Sequence, residues 1–273
     1  MFNFVFNKFV LNPRLTVFQP FRYIKDKKVS DNVNFDDLVK MICYDSCAEL
    51  ETVLNEAAIY AAFARKDSIE MDDLVKAVLR TQYDSPDNYT KRSNDELKEI
   101  AVHEAGHLVV SEALVPGSIG LVSMRSCDVN ANGGFVHACI EITRRPHDTL
   151  IALAGKAAVE LYNCERCASG CQNDISRAAE NIRTSISLNS TSGFSLLDVS
   201  DRNFPECSQS INERNEAVVC AELERYILKC RDILIKNRDF LEKAATLLLE
   251  KETLLYSDIQ CLRKRVTVTY FDI

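Results

Sequence analysis

The sequence has little that bends a chain. It carries 8 glycines and 6 prolines in 273 residues, and tryptophan is absent. So few turn formers predict few loops and many helices. A basic excess is also lacking: the formal net charge of -7 excludes a general nucleic-acid binder, which needs cations to displace counterions from phosphates. No apolar run reaches bilayer length. The stretch Met1 to Val10 is apolar but is broken by Asn3, Asn7 and Lys8. No secretory leader is recognisable, so the eleven scattered cysteines read as free thiols of a reducing, cytoplasmic compartment rather than as a disulfide framework. Finally, no G-x-x-x-x-G-K-[ST] phosphate loop occurs, and no apolar run ends in the paired acids that hold magnesium. No nucleotide-binding residue is found, and ATP hydrolysis by this chain alone has no sequence support.

What is present is an ordinary globular composition, 47% apolar and 27% charged. Residues 1–30 hold Lys8, Arg14, Arg22, Lys25, Lys27 and Lys28 against Asp26, with Pro13 and Pro20 breaking any helix. They read as an arm or linker. Residues 31–80 form a helical bundle, with Leu38, Met41 and Ile42 and then Leu50, Val53, Leu54, Ala57, Ala58 and Ala61 at helical spacing. The polar, aperiodic stretch 81–94 is a domain boundary. A second domain spans 95–266, and 267–273 is a tail. Within it, Ser93 to Glu96 starts a helix that ends near Pro116. Residues 119–124 and 134–140 read as a hairpin around a turn-rich connection. Helices follow from Thr149, from Asn212 to Lys236 and from Arg238 to Lys251. The fold class is mainly α, with a small β-hairpin or sheet.

The first of these helices contains His103-Glu104-Ala105-Gly106-His107. Two histidines four apart lie on one helical face and can hold one zinc ion, while the glutamate can act as general base on a metal-bound water. Gly106 is a poor helix former, which a close packing neighbour or access to the metal would explain. A catalytic zinc needs a third protein ligand, and position 113 is alanine, so the ligand must be distal. Asp174, near the start of a helix, could complete the site or simply cap the helix; spacing alone leaves these even. Glu160 could be a ligand, an acceptor for a histidine ring N–H, or a solvated surface group. His137 and His147 fit packing better than ligation. Cys164, Cys167 and Cys171 have part of a thiolate zinc spacing without a fourth ligand, and free thiols fit them better than a second zinc or a redox clamp.

The segment Glu96 to His107 resembles the peptidase domain of the FtsH family of ATP-dependent zinc metalloproteases. Leu153-Ala154-Gly155-Lys156-Ala157-Ala158-Val159-Glu160, Ser169-Gly170-Cys171-Gln172-Asn173-Asp174 and Leu247 to Leu254 are similar to three further family motifs, in the same order. Val33 to Leu38, Ala48 to Leu50, Asn55 to Ala58 and Met71 to Asp73 are similar to the helical lid of the family's AAA+ module. The resemblance runs over roughly residues 22–266. It implies that His103, His107 and Asp174 hold one Zn2+ per chain and that Glu104 is the general base. It implies a hexameric ring, with ATP entering only through a partner or by family membership. The family's membrane spans and ATPase core have no counterpart here, and its lid has lost two glycines: the family's serine–glycine–alanine–aspartate–leucine stands as Ser46-Cys47-Ala48-Glu49-Leu50.

The leading expectation is a zinc endopeptidase that cuts unfolded proteins, with the Gly134, Phe135 and Val136 strand as an edge for an extended substrate. A second is a regulatory or assembly subunit that docks on a complete FtsH-type ATPase, cytoplasmic or held at a membrane through that partner. A third is a zinc hydrolase acting on another amide or ester.

Overall fold

The computed structural model describes residues 27–43, 46–85, 92–125, 133–142, 144–162, 171–189 and 209–272. The chain divides into two compact units, Met1–Asp87 and Asn88–Ile273. Most of the expected arm, part of the 81–94 linker, and Cys164 and Cys167 lie outside the described residues.

In the first unit, α1 (Phe35–Met41), α2 (Cys47–Phe63) and α3 (Met71–Tyr83) bury Leu38, Met41, Val53, Leu54, Ala57, Leu74 and Val78. Of the positions picked out by helical spacing, Leu38, Met41, Leu50, Val53, Leu54, Ala57 and Ala61 are buried, while Ile42 and Ala58 are partly so. Asn34 opens α1 by accepting from the Asp36 amide, and Ser46 with Glu49 forms a reciprocal capping box on α2. Ile42 falls just past the end of α1.

The second unit is built around α4 (Asn94–Leu114). Ser93 Oγ accepts from the Glu96 amide at 3.2 Å, and Glu96 Oε2 accepts from the Ser93 amide at 2.7 Å. From Glu99 onward α4 is buried on nearly every side. Such a helix shows no amphipathic stripe because it is the core rather than its cover. Around it lie α5 (Arg145–Leu161), α6 (Gln172–Asn189), α7 (Gln209–Lys236) and α8 (Arg238–Lys251). The periodic set on α7 packs as expected: Val219, Cys230 and Leu234 are buried, while Leu223, Tyr226 and Ile227 are partly so.

Three short strands form an antiparallel sheet in the order β2-β1-β3. They are β1 (Ile119–Ser123), β2 (Phe135–Ala138) and β3 (Thr253–Leu255), with α9 (Tyr256–Arg265) after β3. The hairpin stands where the sequence placed it, but β2 is shorter than 134–140 and leaves Gly134 just outside. The third strand is an addition, since Thr253-Leu254-Leu255 pairs with Leu121 to Ser123 instead of extending the preceding helix. Helix α5 also begins four residues before Thr149. Pro146 sits in its first turn, where a fixed φ and a missing N–H cost nothing.

Candidate metal centre

Residues on two helices converge on one point. His103 and His107 project from α4. Asp174 projects from the first turn of α6, where the Ile175 amide bonds the Cys171 carbonyl and Cys171 thus opens the helix. His103 Nε2 lies 3.0 Å from His107 Nε2. Asp174 Oδ2 lies 3.1 Å from the first and 3.3 Å from the second. Zinc bonded to N and O donors at about 2.0–2.1 Å in a tetrahedron would space them about 3.3 Å apart, so this triangle is slightly tighter than a filled site. Among the described residues these three side chains form the group whose ligand atoms cluster closely enough to share an ion.

The donor set fits a cation on chemical grounds. His107 Nδ1 lies 2.7 Å from the Ile151 carbonyl, which can only accept, so Nδ1 carries the hydrogen and neutral His107 presents a lone pair at Nε2. That lone pair faces another imidazole nitrogen and a carboxylate oxygen, an arrangement that needs a shared proton or a metal. Without metal, burial works against charging His107, but the Asp174 carboxylate and the nearby Glu104 outweigh it and raise its pKa. Burial likewise works against the Asp174 anion, but hydrogen bonds from both histidines prevail and hold it well below the usual carboxylate range.

Small residues on α5 make this geometry possible. A Cβ on Gly106 would stand 2.6 Å from Ala158 Cβ and 2.7 Å from the Ala154 carbonyl oxygen, so α4 and α5 approach closely there. That is the packing reason expected for a glycine inside the motif. Gly155 lies against the His103 ring in the same way. On its other nitrogen, His103 Nδ1 is 3.8 Å from the buried Cys171 thiol. Of the three cysteines weighed from sequence, this is the one within the described residues, and it touches a site histidine.

Glu104 is buried beside the triangle, and its Oε1 accepts from the Gly134 amide at 3.1 Å. Burial raises its pKa, against the pull of both histidines and the Gly134 N–H. Gly134 is therefore a partner of Glu104 rather than part of the strand. Phe135 and Val136 do lie on β2, at one edge of the sheet. Glu160 is placed differently from one expectation: its carboxylate meets Lys156 at 2.6 Å and Arg231, a salt-bridged surface pair rather than an acceptor for a site histidine. The acceptor beside His107 is the Ile151 backbone, which no side-chain motif announces. His137 lies on β2 and His147 is buried in the first turn of α5, both apart from the cluster.

Comparison with known proteins gives the chain a family. The chain is 31% identical over 252 residues to the ATP-dependent zinc metalloprotease FtsH of Streptobacillus moniliformis, a match covering 87% of this chain and 36% of that protein. It is 29% identical over 280 residues to FtsH 3 of Symbiobacterium thermophilum, covering 94% of this chain and 44% of that one. For the Helicobacter pylori FtsH the figures are 26% over 251 residues, 85% and 39%. The chain belongs to the FtsH family. No protein-family model matches it. It spans well under half the length of these FtsH relatives. Among its described residues no helix is long and apolar enough to cross a membrane.

Proposed function

We propose that the chain is a zinc-dependent endopeptidase that cleaves unfolded proteins, the proteolytic part of an FtsH-type machine. The observation that carries this reading is the triangle of His103, His107 and Asp174 donors with Glu104 buried beside it. The two imidazoles and the carboxylate would hold the ion. Bound zinc would polarise the scissile carbonyl and acidify its water. Glu104, held through Oε1, takes the attacking water's proton and passes it to the leaving amine nitrogen. An extended substrate pairs along the Phe135–Val136 edge of the sheet. Residues 31–80 serve as an AAA+ lid, 95–266 as the peptidase domain and 81–94 as the linker. Subunits assemble as a hexamer or associate with a full-length FtsH-type ATPase.

A second reading rests on the modest identity to the protease relatives, 31% over 252 residues. In it the chain is a docking or assembly subunit of a complete FtsH-type protease.

Metal analysis of the purified chain beside casein cleavage separates the two. Zinc at one per chain with casein cleavage is expected, and Glu104→Gln should keep the zinc and lose at least ~100-fold in rate. A zinc-free, inactive protein that binds a full-length relative would establish the second reading instead.

A further inference from the structure

One side chain closes the base of the β1–β2 hairpin. Arg92 Nη1 donates to the Met124 carbonyl at 2.7 Å, and Nη2 donates to the Gly133 carbonyl at 3.2 Å. These carbonyls flank the 125–132 connection. Arg92 directly precedes Ser93, the cap of α4, so the guanidinium ties the start of the metal-site helix to both ends of that connection.

The Gly133 carbonyl and the Gly134 N–H belong to a single peptide unit. A trans peptide is planar, with C=O and N–H pointing in opposite directions. Whatever fixes the oxygen therefore aims the hydrogen. Here the oxygen meets the Arg92 cation, and the N–H meets Glu104 Oε1 at 3.1 Å. The unit is clamped between a guanidinium and a carboxylate, and both hydrogen bonds are charge-assisted. It has little room to slide. A Cβ on Gly134 would lie 2.3 Å from the Ser123 carbonyl oxygen and 2.7 Å from Glu104 Cγ.

We infer that Arg92 is a positioning residue for Glu104, acting through the Gly133–Gly134 peptide. It holds the far end of the group that orients the Glu104 carboxylate. Its importance to catalysis rests on the endopeptidase reading above, but the clamp itself does not. Lysine would not replace it, because one ammonium cannot offer the planar fork that spans two carbonyls.

The test follows hydrogen exchange of the Gly134 amide in the full chain, with zinc content measured in parallel. Arg92→Gln should raise Gly134 exchange about tenfold or more, since the amide loses its aimed partner while the surrounding helix stays folded. Arg92→Lys, which keeps the charge, should give a smaller rise and serves if Arg92→Gln does not fold. Zinc content should match the wild type in both. In an active preparation kcat on an unfolded substrate should fall about tenfold with KM nearly unchanged. Unchanged Gly134 exchange in Arg92→Lys and Arg92→Gln would overturn the inference. So would a parallel loss of zinc, which would make Arg92 a general support of the fold. A wild-type chain without peptidase activity would count against the endopeptidase reading alone, because the exchange result does not depend on turnover.

Discussion

The His103 ring rests against Gly155 with no space for a methyl group: a Cβ there would stand 2.4 Å from Cε1 and 2.6 Å from each ring nitrogen. The glycine thus sets where the His103 ring can lie. Gly155→Ala should displace the ring and weaken zinc binding about 10- to 100-fold, the range seen when a ligand's support is removed. Helix α5 itself should survive, since alanine is the better helix former by about 1 kcal/mol. Gly106→Ala is the contrasting variant. Its Cβ meets the Ala154 backbone and Ala158 of the partner helix, so thermal stability should fall along with metal affinity. Chelator competition and a melting curve on both variants check the pair. Wild-type zinc affinity in a folded Gly155→Ala protein would refute the role given to Gly155.

Zinc uptake should release protons. In the metal-free protein the Asp174 carboxylate raises the His107 pKa against the effect of burial. The sign follows from the direction. The His107 contribution to metal-free stability is fully present below the unfolded histidine value of about 6.5, and is lost as pH rises through the higher folded value. The Asp174 contribution has the opposite sense: it is present above about 3.9 and lost as pH falls through the depressed folded value. Zinc must displace the histidine proton, so its affinity should climb as pH rises through that same range. Calorimetric titration near pH 6.5, in two buffers of different ionisation enthalpy, would read the proton count directly. A count of zero would contradict the proton-sharing arrangement of His107 and Asp174.

The parts of the site encoded by local spacing were legible before any fold was known. His103 and His107 share a helical face by arithmetic, and the Ser93–Glu96 box marks where that helix begins. From spacing alone, capping and ligation were even for Asp174. The family resemblance favoured ligation, and the contacts at 3.1 and 3.3 Å place its oxygen on both histidines. What the sequence hid depends on distant backbone. The Ile151 carbonyl, the Gly134 amide and the Arg92 clamp carry no side-chain pattern, because each is a meeting of segments far apart in the chain. For Glu160 the alternatives stay open in the sequence for the same reason: its partner Arg231 lies on α7, beyond the reach of helical spacing. The strand at Thr253–Leu255 was missed because three residues between two helices are too few to show alternation.

A buried ion pair away from the metal should matter to stability. Glu112 on α4 is fully buried; it accepts from the Gly117 amide at 2.8 Å and the Ile119 amide at 3.2 Å, and meets Arg263 of α9 at 3.1 Å. Among the described residues Arg263 Nε has no hydrogen-bond partner. Glu112→Ala would leave two amides without their acceptor and Arg263 without its carboxylate, with only Gln260 and Tyr270 still accepting from the guanidinium, at a cost of about 3–5 kcal/mol. The double variant Glu112→Leu with Arg263→Met removes both charges and should cost distinctly less. Urea unfolding measures both. A loss below ~1 kcal/mol for Glu112→Ala would show that this pair does not hold α9 to the α4–β1 turn.

Thiol chemistry should separate the cysteines by burial. Cys230 is buried on α7, with its thiol directed at the Leu150 carbonyl at 3.1 Å, and burial pushes its pKa up to about 12. Cys171 is buried too, and burial, aided by the Asp174 charge, raises its pKa. Only the thiolate reacts, so both should resist alkylation near neutral pH. Cys220 and Cys261 are exposed. A brief treatment of the native protein with iodoacetamide, followed by peptide mass analysis, should label Cys220 and Cys261 ahead of Cys171 and Cys230. Cys171 should be labelled sooner once a chelator has removed zinc, because its neighbour His103 is then no longer held by the ion. Equal labelling of Cys171 with and without chelator would show that the metal does not brace the His103–Cys171 contact.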